Sequence, residues 1–130
     1  LLPESSGLKK SAMRLLIFMS ACLFLMGPVV EWEGETSYEM GDLIRNQPST
    51  HEFVFRNVSG EPMVIDNVRT SCGCTVPEWD EVPIGPDSTG VIAVTYDARD
   101  LGYFKKKVKV YFSNQRKAEV LFIEGWVEEL

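Results

Sequence analysis

From residue 31 onward apolar residues recur at every second position between short clusters of turn formers, while the 3.6-residue recurrence of a helix is missing. A chain patterned this way folds as strands. His51, Phe53 and Phe55 share one face of the first clear strand, which stops at Asn57-Val58-Ser59-Gly60-Glu61-Pro62. Met63 and Ile65 open the inward face of the next, which runs to about Thr70 with an irregularity at Asp66-Asn67. Residues 71–90 hold Gly73, Pro77, Pro83, Gly85, Pro86 and Gly90, so they read as a long connection that crosses between sheets and contains at most one short strand. Ile92, Val94 and Tyr96, then Phe104, Val108, Val110 and Phe112, then Leu121, Ile123, Gly125 and Val127 supply further inward faces, and a strand near Trp32 to Tyr38 completes the set.

Six or seven short strands with no helix between them exclude a parallel βαβ sheet. The expected fold is all-β: an immunoglobulin-like antiparallel β-sandwich of about seven strands over residues 31–130, preceded by an N-terminal signal or anchor helix. A small closed barrel is the alternative, because alternation does not distinguish two packed sheets from one closed sheet. A composition of 45% hydrophobic and 25% charged residues is that of an ordinary globular domain, which excludes a disordered chain.

Residues 1–30 read differently. Leu15 to Val30 carries no charge, follows Lys9, Lys10 and Arg14, and is closed by Glu31, which is the pattern of a secretory signal. Three fates are open to such a segment. It is cleaved, although no A-x-A site is present; or it is kept as a short anchor, its 16 residues covering about 24 Å of a roughly 30 Å hydrocarbon core; or it is lipidated at Cys22, where Met19-Ser20-Ala21-Cys22 approximates a lipobox. The domain is thus expected outside the cytoplasm, in the periplasm or at the cell surface, meeting a membrane only through this segment.

Three of the 13 basic side chains and one of the 19 acidic ones precede residue 31, which leaves 10 against 18 and a formal charge of −8 on the domain. Such a domain repels phosphate backbones, so nucleic acid is not an expected partner. The one basic stripe, Lys105, Lys107 and Lys109, occupies one face of a strand, where it reads as solvated surface.

Phe53-x-Phe55-x-Asn57, Pro62-Met63-x-Ile65-x-x-Val68 and Ser71-Cys72-Gly73-Cys74-Thr75-x-Pro77 together resemble the bacterial family called domain of unknown function 1573. The resemblance continues through Ile84-x-Pro86, Gly90-x-Ile92-x-Val94-x-Tyr96, Gly102-x-Phe104-x-Lys106, Ser113-Asn114 and Leu121-x-Ile123-x-Gly125. It implies an exported immunoglobulin-like module, common in Bacteroidetes and similar in architecture to sperm-protein and Hydin-type sandwiches, and it implies no established activity. Gly41-Asp42 follows Tyr38-Glu39-Met40 where the family more often has His-Asp-Phe, and the missing histidine weakens a metal reading.

Cys72 and Cys74 are the residues with most chemistry to offer. Gly73 between them permits the tight backbone that brings two sulfurs together, and an exported protein meets oxidising conditions, so a disulfide is available. A ring closed over one residue would be labile rather than a strong staple. The alternatives are two separate thiols at a sheet-to-loop junction or, with His51, a soft site suited to copper or zinc. His51 is the only histidine, and its parity with Phe53 also fits plain packing at the core rim. Asp80-Glu81 and Glu128-Glu129 point to opposite faces of a strand or lie in turns, so no carboxylate pair is set for general acid–base work, and an enzyme is not expected.

The last strand offers a partner surface. Because Leu121, Ile123 and Val127 face the core, Val120, Phe122 and Trp126 face outward, and Tyr111 on the preceding strand shares the exposed parity of Lys107 and Lys109. Clustered exposed apolar residues commonly mark a protein partner site, reached across the face or by strand addition at an edge; the alternative is cover from within the assembly.

Overall fold

The structure is a computed structural model that describes residues 27–130. The signal or anchor helix, Cys22 included, therefore lies outside the described residues save for its last few positions. Eight strands follow: β1 (Val30–Glu33), β2 (Ser37–Ile44), β3 (Ser49–Asn57), β4 (Ile65–Thr70), β5 (Thr75–Trp79), β6 (Thr89–Tyr96), β7 (Gly102–Phe112) and β8 (Glu119–Glu128). They make two four-stranded sheets: sheet A, in the order β1-β3-β6-β5, and sheet B, in the order β2-β8-β7-β4. The sandwich reading holds, and the connection from β4 to β5 crosses between sheets as the turn formers in it require.

Two details of the expectation need correction. The strand near Trp32 to Tyr38 is two strands, parted at Gly34, whose φ of 88° lets the chain leave sheet A and enter sheet B. With β5 present as well, the count is eight rather than about seven. Secondly, the sheets are not wholly antiparallel: β2 runs parallel to β8, with Ser37 beside Phe122 and Leu43 beside Val127. A parallel neighbour needs a long crossover, and here the whole sandwich lies between the two strands.

Phe53, Phe55, Ile92 and Val94 from sheet A meet Val108, Val110, Phe112, Leu121 and Ile123 from sheet B, all of them buried. Each such side chain contributes about 1.5–3 kcal/mol through the apolar area it removes from water. Trp32 adds its ring to this core, edge-on to Phe53 and Phe55 at 6.5 and 5.6 Å between centroids. Val30 is buried as the first residue of β1, and the carbonyl of Val29 accepts a hydrogen bond from the amide of Val58 at 2.9 Å. The end of the apolar run thus belongs to the sandwich, two residues earlier than a boundary at residue 31 allows.

Among the described residues the buried polar side chains are Asn57 and Thr75, while the indole nitrogens of Trp32 and Trp79 and the side-chain amide of Asn114 are buried without a partner. Asn57 has no solvent exposure. Its amide nitrogen donates to the carbonyls of Glu61, Ile84 and Gly85 at 2.7, 2.9 and 3.2 Å, and its carbonyl oxygen accepts from the amide and hydroxyl of Ser59 at 3.0 and 2.6 Å. One side chain thereby ties the turn after β3 to the loop before β6, as a buried amide must to offset its desolvation.

The sheet edges are blunted. β1 has four residues, β5 carries Pro77, and the ladders of β2 and β4 slip between Glu39 and Asp42 and between Ile65 and Asn67. The slip in β4 falls at the Asp66-Asn67 irregularity read from sequence. Shortness, proline and irregular register each discourage strand addition.

Candidate functional site

The outer face of sheet B gathers the expected partner residues. Leu121, Ile123 and Val127 are buried, Trp126 is 49% exposed, and Val120 and Phe122 are partly covered. Phe122 owes its cover to the neighbouring strand, where the Lys105 and Lys107 ammonium groups lie 4.9 and 5.9 Å from its ring centroid. Tyr111 is likewise half-buried, with the Arg69 guanidinium 5.7 Å from its centroid. Cations over aromatic faces are favourable contacts that also keep long side chains ordered on the sheet.

Tyr103 belongs to this face and was not among the expected residues. It is paired with Trp126 across the β7–β8 ladder and is 62% exposed. Its parity with Lys105 and Lys107 was the available signal, hidden by its position directly after the loop glycine Gly102. The phenol donates to Glu124 at 2.7 Å, and that hydrogen bond to a carboxylate holds its pKa above the ordinary tyrosine value.

One part of the partner expectation is overturned. β8 is an interior strand, flanked by β2 and β7, so its backbone is fully engaged and strand addition through it is closed.

Cys72 and Cys74 are joined in a disulfide, their Cα atoms 5.3 Å apart, on the loop between β4 and β5. The loop is braced by Thr70, whose hydroxyl lies 3.0 Å from the carbonyls of both Cys72 and Thr75. The buried Thr75 hydroxyl lies 3.7 Å from Cys74 Sγ and 3.9 Å from Cys72 Sγ, and since disulfide sulfurs carry no hydrogen it is the donor.

His51 is engaged elsewhere. Its ring stacks on Tyr38 with 3.5 Å between centroids and meets Phe53 edge-on at 4.6 Å, closing the rim where β2 of one sheet passes β3 of the other. Burial pushes the imidazole pKa down, against a weaker upward pull from Glu52. Among the described residues no three His, Cys, Asp or Glu side chains converge as metal ligands. Cys72 and Cys74 are bonded to each other, while His51 lies in its stack against Tyr38 and Phe53.

The model of the family described as "Protein of unknown function (DUF1573)" matches residues 30–127. The chain belongs to this family. Among solved structures, DUF1573 as represented here is similar to a protein of unknown function from Porphyromonas gingivalis, with a TM-score of 0.65 and 17% identity over 75% of this chain and 46% of that one. The ASH/PapD-like domain 7 of human CEP192 aligns with a TM-score of 0.68 at 9% identity, over 81% of this chain and 91% of that domain. A family 123 glycoside hydrolase from Clostridium perfringens aligns with a TM-score of 0.66 at 8% identity, over 79% of this chain but 28% of the enzyme. The chain thus spans less than half the length of the Porphyromonas and Clostridium proteins. At such identities the likeness establishes the immunoglobulin-like, PapD-like sandwich and nothing of activity. No curated protein matches the chain significantly.

Proposed function

We propose that this DUF1573 domain is a non-catalytic binding or scaffold module of a bacterial envelope, exported through the segment before residue 30 and meeting a protein partner through the outer face of sheet B. The observation that carries the reading is the exposure of Tyr103 and Trp126 side by side on that face, with Phe122 and Tyr111 further along the same two strands. Half-exposed aromatic rings on a rigid sheet suit anchors for a partner, since they gain large contact area at little conformational cost.

Capture of envelope proteins by the full chain and by Trp126→Ala tests this. An aromatic anchor contributing about 2 kcal/mol corresponds to a loss of roughly thirtyfold in affinity. A partner held equally by both chains, or a measurable turnover abolished by one substitution, would sink the reading. Export is checked by fractionation, with the domain expected outside the cytoplasm.

A second reading is favoured by the Cys72–Cys74 disulfide, whose place on a crossing loop leaves Cys72 and Cys74 half-exposed. On this reading the domain exchanges the bond with small thiols, one thiolate attacking a sulfur and the other sulfur leaving. Thiol titration against glutathione, with metal analysis of the same sample, separates the two. A pair that stays inert and metal-free removes the redox and metal readings together.

A further inference from the structure

The two outer faces of the sandwich carry opposite charge where they are concave. On sheet B a cleft of about 340 Å³ is lined by Arg69, Thr70, Ser71, Lys107, Lys109 and Tyr111, three cations and no acid. On sheet A an open groove of about 580 Å³ is lined by Pro77, Glu78, Trp79, Asp80, Glu81, Val91 and Ala93, three acids and no cation. Strand pairing puts Glu52 next to Ala93 on that face as well. None of these charged side chains is in a salt bridge: the ion pairs among the described residues are Arg45–Glu129, Arg56–Glu33 and Arg99–Asp97.

We infer that the occupant of the basic cleft is the acidic face of a second copy of this chain, giving a head-to-tail contact of sheet B on sheet A. Each face joins unpaired charge to exposed apolar surface, Val76 and Val91 at 50% and 42% on sheet A against Tyr111 and the Lys107 and Lys109 stems on sheet B. The domain's net negative charge opposes association. At physiological ionic strength, however, charges beyond about 8 Å are largely screened, so the sign of the facing patches outweighs the remote net charge. Because the two patches lie on opposite faces of one molecule, each copy binds a neighbour on either side, and the contact is heterologous and open. This goes beyond the proposed function: the two sites share Tyr111, and the contact between copies leaves Tyr103 and Trp126 free.

Light scattering on the full chain in a nonionic detergent, which masks the apolar N-terminal segment, tests the contact. The weight-average mass should rise at least twofold with concentration at about 0.05 M salt and return to the monomer value at about 0.5 M. Lys107→Glu with Lys109→Glu should remain monomeric, as should Glu52→Lys with Glu78→Lys. An equimolar mixture of the two should associate again, since each then offers the other a face of opposite sign. A wild-type chain that stays monomeric at low salt, association that persists at high salt, a variant that associates alone, or a mixture that fails to associate would each overturn the inference. Capture through Trp126 is unaffected by any of these results.

Discussion

Gly90 lies directly against the ring of Phe55 across the β3–β6 ladder, so close that a Cβ at position 90 would fall inside the van der Waals envelope of Cζ and Cε1. Phe55 is fully buried and held edge-on to Phe112 and Trp32, so it has nowhere to retreat. Gly90→Ala is expected to cost about 1–3 kcal/mol by overpacking, read as a fall in the urea midpoint at unchanged slope.

Asn57 gives a larger effect. Asn57→Leu removes five hydrogen bonds at once, although the carbonyls of Glu61, Ile84 and Gly85 keep the Ser59 hydroxyl and the amides of Met63 and Ser88 as donors. At about 1 kcal/mol net for each hydrogen bond lost, the loss should exceed about 3 kcal/mol, and chemical denaturation measures it.

Trp126→Ala should behave in the opposite way. A half-exposed ring whose ladder partner is Tyr103 forfeits a cross-strand contact of about 0.2–1 kcal/mol. Phe55→Ala should cost about 3–5 kcal/mol in the same assay, so the two melting curves distinguish a surface anchor from a core residue.

The position of His51 makes stability depend on pH. With the folded-state pKa below its ordinary 6.5, the unfolded chain binds more protons near and below that pH. The contribution of His51 is therefore fully present above pH 6.5 and is lost as pH falls toward the folded value. The urea midpoint should decline between about pH 7.5 and 5.5, and His51→Phe should flatten that part of the profile.

Reducing the Cys72–Cys74 bond should lower the melting temperature by no more than about 6–13 °C. For a ring this small the loop-entropy relation gives about 1.6 kcal/mol or less, below the 2–5 kcal/mol of a disulfide that staples a small domain. A shift of about fifteen degrees or more on adding reductant would contradict a minor structural role.

The inward-facing sets were legible because each strand keeps strict alternation: Ile92, Val94 and Tyr96, like Leu121, Ile123 and Val127, are all buried as their parity requires. β2 was not legible past Tyr38, since the register slips between Glu39 and Asp42 and Gly41 reads as a turn. Its parallel place beside β8 rests on contacts some 85 residues apart, which no local pattern carries. The Tyr38–His51 stack was hidden for the same reason, as the two residues sit on strands of different sheets. The outer face of sheet B was read correctly in parity but not in setting: the pattern of β8 does not tell that both its neighbours are occupied.

The parallel pairing of β2 with β8 also fixes the order in which the domain becomes whole. As the chain emerges from the ribosome, β2 appears early and finds no partner in its own sheet, because its only neighbour there is β8, the last of the eight strands of the sandwich in chain order. Ser37 waits for Phe122, and until Glu119–Glu128 arrives β7 also presents a bare edge. A nascent chain stalled before residue 119 holds half of sheet B open, and closure of the sandwich waits for the ten residues of β8.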